Sequence, residues 1–153
     1  MARHQQGTFH SGEEILEFTI RYLTRIRSAL DELSGGDHGE RVKMLLASVE
    51  ADHRNLLGSI ERVLEDAPDK VRNVYAQYTV EMPAEIEPPE EPLTTLGLIQ
   101  WLENLNNPVQ SMFAELSQNE DSEEAGEVFG GIAQQIEAHN MRLSKEYQRT
   151  EDL

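Results

Sequence analysis

The sequence predicts an all-α fold: four long helices forming a bundle, with one long crossover between the second helix and the third. Three observations carry this. Apolar residues recur at spacings of three and four along four separate stretches. The 153 residues give one domain with a sizeable core at 38% hydrophobic content. Between the second and third stretches, 26 residues from 67 to 92 are too rich in proline and glutamate to continue a helix.

The first long helix opens at Ser11, with Glu14 three residues on. That spacing makes a capping box, in which each side chain satisfies an orphan amide of the first turn. Its inward stripe is Ile15, Tyr22, Ile26, Ala29 and Leu33, flanked by Leu16, Leu23 and Leu30, and the run stops at LSGGDHG. The second helix extends from about Glu40 to Asp66, with Val42, Leu46, Val49, His53, Leu56, Ile60 and Val63 forming a seam of alternating fours and threes.

In the crossover, about 67–92, the residues Val71, Val74, Tyr75 and Tyr78 predict a short amphipathic helix before EMPAEIEPPEEP. A helix of about 27 residues is roughly 40 Å long, and a connection of this size can run back along it. The second and third helices are therefore expected to be parallel. The third begins near Leu93 or Thr94, with Ile99, Leu102, Asn106, Val109, Phe113 and Leu116 as its seam. Pro108 predicts a kink near Asn106 and Asn107, or a restart capped by Asn107. The fourth follows QNEDSEE, whose acidic residues suit the positive end of a helix dipole; its seam is Ala125, Val128, Ile132, Ile136, His139 and Leu143. The expected organisation is a flexible arm over 1–10, one domain over 11–149 and a frayed end over 150–153.

Charge narrows the partners. Thirteen basic and 29 acidic residues give a net charge of −16, which repels phosphate backbones and anionic lipid. Neither nucleic acid nor a membrane is an expected partner. The absence of cysteine removes disulfides, thiolate metal sites and cysteine nucleophiles. MARHQQGTFH lacks the apolar run of a signal peptide, and no segment approaches the roughly 20 apolar residues of a membrane span, so a cytoplasmic location is expected.

The stretch VEADHRNLL places Glu50 and His53 three positions apart on one helix, and His139 occupies an inward position on another. A buried histidine is ordinarily a structural group hydrogen-bonded to its neighbours; two of them on seams, one preceded by a carboxylate, also suggest a metal site. The glycine pairs at 35–36 and 130–131 lack the context of a phosphate loop, and Glu61, Glu65, Asp66, Glu123 and Glu127 read as an exposed acidic face. Trp101 and Tyr75 are expected to serve core or interface packing, with the lining of a small cavity as the alternative. No residue is assigned a catalytic role.

The helix layout, the crossover carrying VYAQY, and the stretches VEADHRNLL, MFAELSQ and EVFGGIAQQIEAHNMRL resemble the ferritin and rubrerythrin superfamily over about Ser11 to Tyr147. That resemblance implies a ferritin-like four-helix bundle with a two-metal site. One glutamate would come from each of the first and third helices, and a Glu-x-x-His pair from each of the second and fourth. Glu50 and His53 match one pair, and His139 matches the second histidine. Ile136 stands where that pair's glutamate belongs, and Glu137 is rotated about 100 degrees away. Asn106 stands at the third-helix position, and Thr19, Tyr22 and Leu23 line the first, with Glu14 at the rim and Glu17 on the opposite side.

One carboxylate and two imidazoles leave most of the charge of two divalent ions uncompensated. The expectation is therefore a non-catalytic ferritin-like bundle, without a cofactor, that has lost its di-iron site. It would act through self-association as a homodimer or through an unidentified protein partner. The alternative is a metal-binding protein. Glu50, His53 and His139 would then hold a single divalent ion of iron, zinc or manganese, or the chain would be a divergent iron-handling or di-iron oxidoreductase member.

Overall fold

A computed structural model describes residues 9–118 and 121–152. Its described part is mostly helical, with five helices and one two-stranded sheet among the described residues. In chain order these are β1 (His10–Ser11), α1 (Gly12–Ser34), α2 (Glu40–Asp66), α3 (Asp69–Arg72), β2 (Tyr75–Ala76), α4 (Thr95–Leu116) and α5 (Glu123–Glu151). The third and fourth long helices of the sequence are thus α4 and α5. Residues 1–8 of the expected arm lie outside the described part.

Caps set the helix starts. Ser11 Oγ accepts from the Glu14 amide at 3.1 Å while Glu14 Oε1 accepts from the Ser11 amide at 2.8 Å. Those two bonds hold the Glu14 carboxyl below its ordinary range. Thr94 caps α4 through the Gly97 amide, and Ser122 caps α5 through the Ala125 amide. At the end of α1 the His38 ring donates to the Leu33 carbonyl at 2.7 Å. Arg72 gathers the end of α2, donating to the Leu64 and Ala67 carbonyls and pairing with Glu13 of α1 at 2.6 Å.

The inward stripes meet in one apolar core. Ile15, Tyr22 and Ile26 of α1, Val49, Leu56 and Ile60 of α2, Leu102, Val109 and Phe113 of α4, and Ile132, Ile136 and Leu143 of α5 are all buried in it. α1 packs on α2, α4 on α5, and α2 on α5. Phe113 and Phe129 lie with ring centroids 5.9 Å apart, joining α4 to α5.

Three expectations need correction. The short helix expected over Val71 to Tyr78 is a single turn, Asp69–Arg72, followed by a strand. Val74, Ala76 and Tyr78 are buried while Tyr75 is exposed, which is the period of two of an extended chain. The strand pairs antiparallel with His10–Ser11, so part of the expected arm is fixed to the crossover. Second, of the kink or restart expected at Pro108, the restart does not occur, because α4 is one helix on both sides of it. Third, α5 continues through Glu151 in place of fraying at 150. Thr150 is buried, and Thr95 at the head of α4 donates to the Glu151 carboxylate at 2.9 Å.

Gly12 shows how tightly the crossover seats. Its amide donates to the Val74 carbonyl at 2.8 Å, and a Cβ there would lie 1.9 Å from the Val71 carbonyl oxygen. Only glycine permits that approach of two backbones.

Candidate functional site

The four long helices each contribute a buried polar group to the middle of the core. These are Thr19 from α1, His53 from α2, Asn106 from α4 and His139 from α5. Each lies on an otherwise largely apolar stripe, so helical period carries it inward. The two imidazoles meet, their ring centroids 6.4 Å apart and their planes at 65°.

Hydrogen bonding defines one tautomer. His53 Nε2 lies 2.7 Å from the Leu23 carbonyl of α1, and a carbonyl only accepts, so Nε2 carries the proton. His53 Nδ1 is then a bare lone pair facing the interior, without a protein partner. Both ring nitrogens of His139 and the Asn106 Oδ1 are likewise buried without a protein partner. The Asn106 amide donates to Asn140 at 3.2 Å, and Asn140 in turn donates to Asn107 at 3.3 Å, a relay of amides running from the core to the surface. Tyr22 and Thr19 are closed off: Tyr22 donates to the Leu105 carbonyl at 2.8 Å and Thr19 to the Ile15 carbonyl at 2.8 Å.

Electrostatics keep both imidazoles neutral. Burial, the nearby His53 and the cation of Arg142 push His139 down to about 4. Burial also lowers His53, against the opposing pull of its bond to Leu23, with Arg27 adding to the depression. Neutral imidazoles offer lone pairs and single N–H groups, and neither is an acid at neutral pH.

Glu50 does not join them. Its carboxylate accepts from Ser34 Oγ at the end of α1. Among the described residues no group of three or more His, Asp or Glu side chains converges as a metal site. The interior donors are thus two imidazoles and one amide oxygen, none of them anionic. That donor set does not fit a two-metal centre, which needs carboxylates to offset its charge. Asn106 and His139 occupy the inward positions expected of them, and Ile136 is buried in apolar core.

Two residues beside the buried histidines escape the sequence pattern. Asn140 is next to a seam position yet partners Asn106. Asp52, beside His53, is half-buried; burial raises its carboxyl, with Arg142 opposing and Glu146 adding to the rise. The signal for both is adjacency to a buried histidine, which does not separate a network member from a solvated neighbour.

Outside the core, the crossover and α4 enclose an open groove of about 1120 Å³ between Pro83 and Leu105. The Trp101 indole donates to the Glu87 carbonyl at 2.7 Å, and Arg25 of α1 donates to the Ala84 carbonyl at 2.7 Å. Both bonds tether the crossover to the helices. No helix among the described residues is long and apolar enough to cross a membrane. Comparison with protein-family models, with curated proteins and with solved structures found no match to this chain.

Proposed function

We propose that this chain is a ferritin-like four-helix bundle with a long crossover, acting without catalysis as a binding protein, through a second copy of itself or a protein partner. The observation carrying this reading is the uncharged interior. Where the resembled superfamily gathers carboxylates, this core presents His53, His139 and Asn106, and Glu50 is engaged with Ser34. The packing of α1 on α2, α4 on α5 and α2 on α5, with 67–94 as the long connection, supports the bundle topology.

Elemental analysis of protein purified from metal-replete cells tests this reading: the expected content of iron and manganese is far below one per chain, and stoichiometric metal overturns it. Light scattering is expected to show a dimer, and a monomer at high concentration counts against self-association.

One observation favours a second reading. His53 Nδ1, both His139 nitrogens and Asn106 Oδ1 all face the interior without partners, and a single divalent ion such as iron, zinc or manganese would satisfy several of them. In that case the double variant His53→Ala, His139→Ala loses the ion. Unchanged metal content in that variant removes these side chains as ligands.

A further inference from the structure

The groove between the crossover and α4 combines two kinds of wall. One is apolar, made by the half-buried Trp101, the 47%-exposed Leu96 and the proline-rich chain opposite. The other is anionic: Glu85, Glu90 and Glu91 are exposed along it, and among the described residues no lysine, arginine or histidine lines it. Arg25, the nearby cation, stacks over the Tyr22 ring and holds the Ala84 carbonyl, so its charge is committed to fastening the crossover.

The groove is preformed. Trp101 ties the Glu87 carbonyl to α4, and Ile86 packs against the core beside it. An occupant therefore meets an ordered surface and loses little affinity to ordering it. The Trp101 N–H is already engaged, which leaves the ring face as the recognition element. An indole face among carboxylates selects cationic side chains on an apolar stem, and the chain's net charge of −16 draws such a partner in.

We infer that this groove binds a lysine- or arginine-rich segment of a partner protein, seated by an apolar anchor on Leu96 and Trp101 and held at its rim by Glu85, Glu90 and Glu91. The inference rests on the binding-protein reading for the existence of a partner, and is independent of what the interior histidines hold.

Trp101 is the sole tryptophan, so its emission reports this groove alone. The full-length protein is titrated with a blocked synthetic peptide of alternating lysine and leucine, and with the same peptide carrying glutamate for lysine. The basic peptide is expected to shift Trp101 emission to the blue and saturate at one per chain; the acidic one is expected to leave it unchanged. A general attraction between a basic peptide and an acidic protein is separated by two triple variants of equal net charge. Glu85→Lys, Glu90→Lys, Glu91→Lys is expected to weaken binding by about tenfold or more. Glu61→Lys, Glu65→Lys, Glu124→Lys, away from the groove, is expected to weaken it by less than about threefold. Leu96→Ser is expected to cost about tenfold through the lost apolar contact. Far-UV circular dichroism checks that each variant is folded.

Equal losses in the two triple variants, no emission shift with the basic peptide, or binding indifferent to Leu96→Ser overturns the inference. Stoichiometric iron or manganese alongside an intact peptide response would overturn the non-catalytic reading and leave the groove assignment standing. Absence of metal with no peptide response would do the reverse.

Discussion

Acidification should weaken this fold through His139 before the carboxylates are fully protonated. The ring is completely buried, and burial, His53 and Arg142 together lower it from 6.5 to about 4. In the unfolded chain the same group protonates at its ordinary value. Between those two values the unfolded state binds a proton that the folded state does not, so stability rises with pH across the interval and is lost as pH falls from 6.5 toward 4. At about 1.4 kcal/mol per pH unit this comes to about 3 kcal/mol, a large part of the 5–15 kcal/mol typical of a domain. His53 is lowered as well and acts in the same direction. The falling net negative charge opposes both by relieving self-repulsion, so the effect is read as a difference between wild type and His139→Leu. Urea unfolding is followed by circular dichroism at a series of values from about pH 7 to about pH 4.5. Wild type is expected to lose about one proton's worth of slope more than the variant. Near neutral pH the leucine variant should match or exceed wild type, because it removes two buried nitrogens without protein partners. Parallel pH profiles for the two proteins would refute the reasoning by showing that His139 protonates in the fold as readily as out of it.

Two further outcomes follow from contacts elsewhere. Gly12→Ala drives a Cβ to within 1.9 Å of the Val71 carbonyl oxygen, so either the crossover lifts or α1 shifts. The expected cost is about 2 kcal/mol or more, seen as a Tm lower by about 5 °C, and an unchanged Tm would contradict the close approach. Tyr22→Phe removes the hydroxyl that donates to the Leu105 carbonyl and should cost about 1–2 kcal/mol in urea unfolding. Burial pushes the Tyr22 phenol up to about 12, against the pull of Arg25, so the folded state holds that proton more tightly and stability is lost as pH rises from 10 through about 12. Absorbance titration of the folded variant should lack the ionisation near 12 expected of wild type; its persistence would assign that ionisation to another tyrosine.

Where chain chemistry is local, the reading from residues and the structure coincide. The Ser11 and Glu14 capping box, the bounds of α2 and most of each inward stripe depend on neighbours within a turn or two, although Ala29, Leu33, Val63 and Val128 are only half-buried and Phe129, beside Val128, is the fully buried ring of α5. The crossover was less legible. Val71, Val74 and Tyr78 fit a period near 3.6, while Val74, Ala76 and Tyr78 fit a period of two. The choice fell to pairing with His10–Ser11, more than sixty positions away, which supplies hydrogen bonds that a second helical turn would have had to make internally. At Pro108 the restart is excluded for a related reason. Its local cost is real, but burial of Val109, Met112 and Phe113 on the same face as Leu102 and Leu105 holds α4 in one piece.

The candidate site divides the same way. Spacing alone placed His53, Asn106 and His139 inside, because a seam position is inward whatever residue fills it. Spacing also paired Glu50 with His53, since residues three apart share a helix face. It could not tell that Ser34 waits at the end of α1 to take that carboxylate, nor that the Leu23 carbonyl fixes the His53 tautomer. Periodicity determines which way a side chain points. Which partner it meets depends on atoms brought near by packing between helices far apart in the chain, and that selection of partners belongs to the tertiary structure alone.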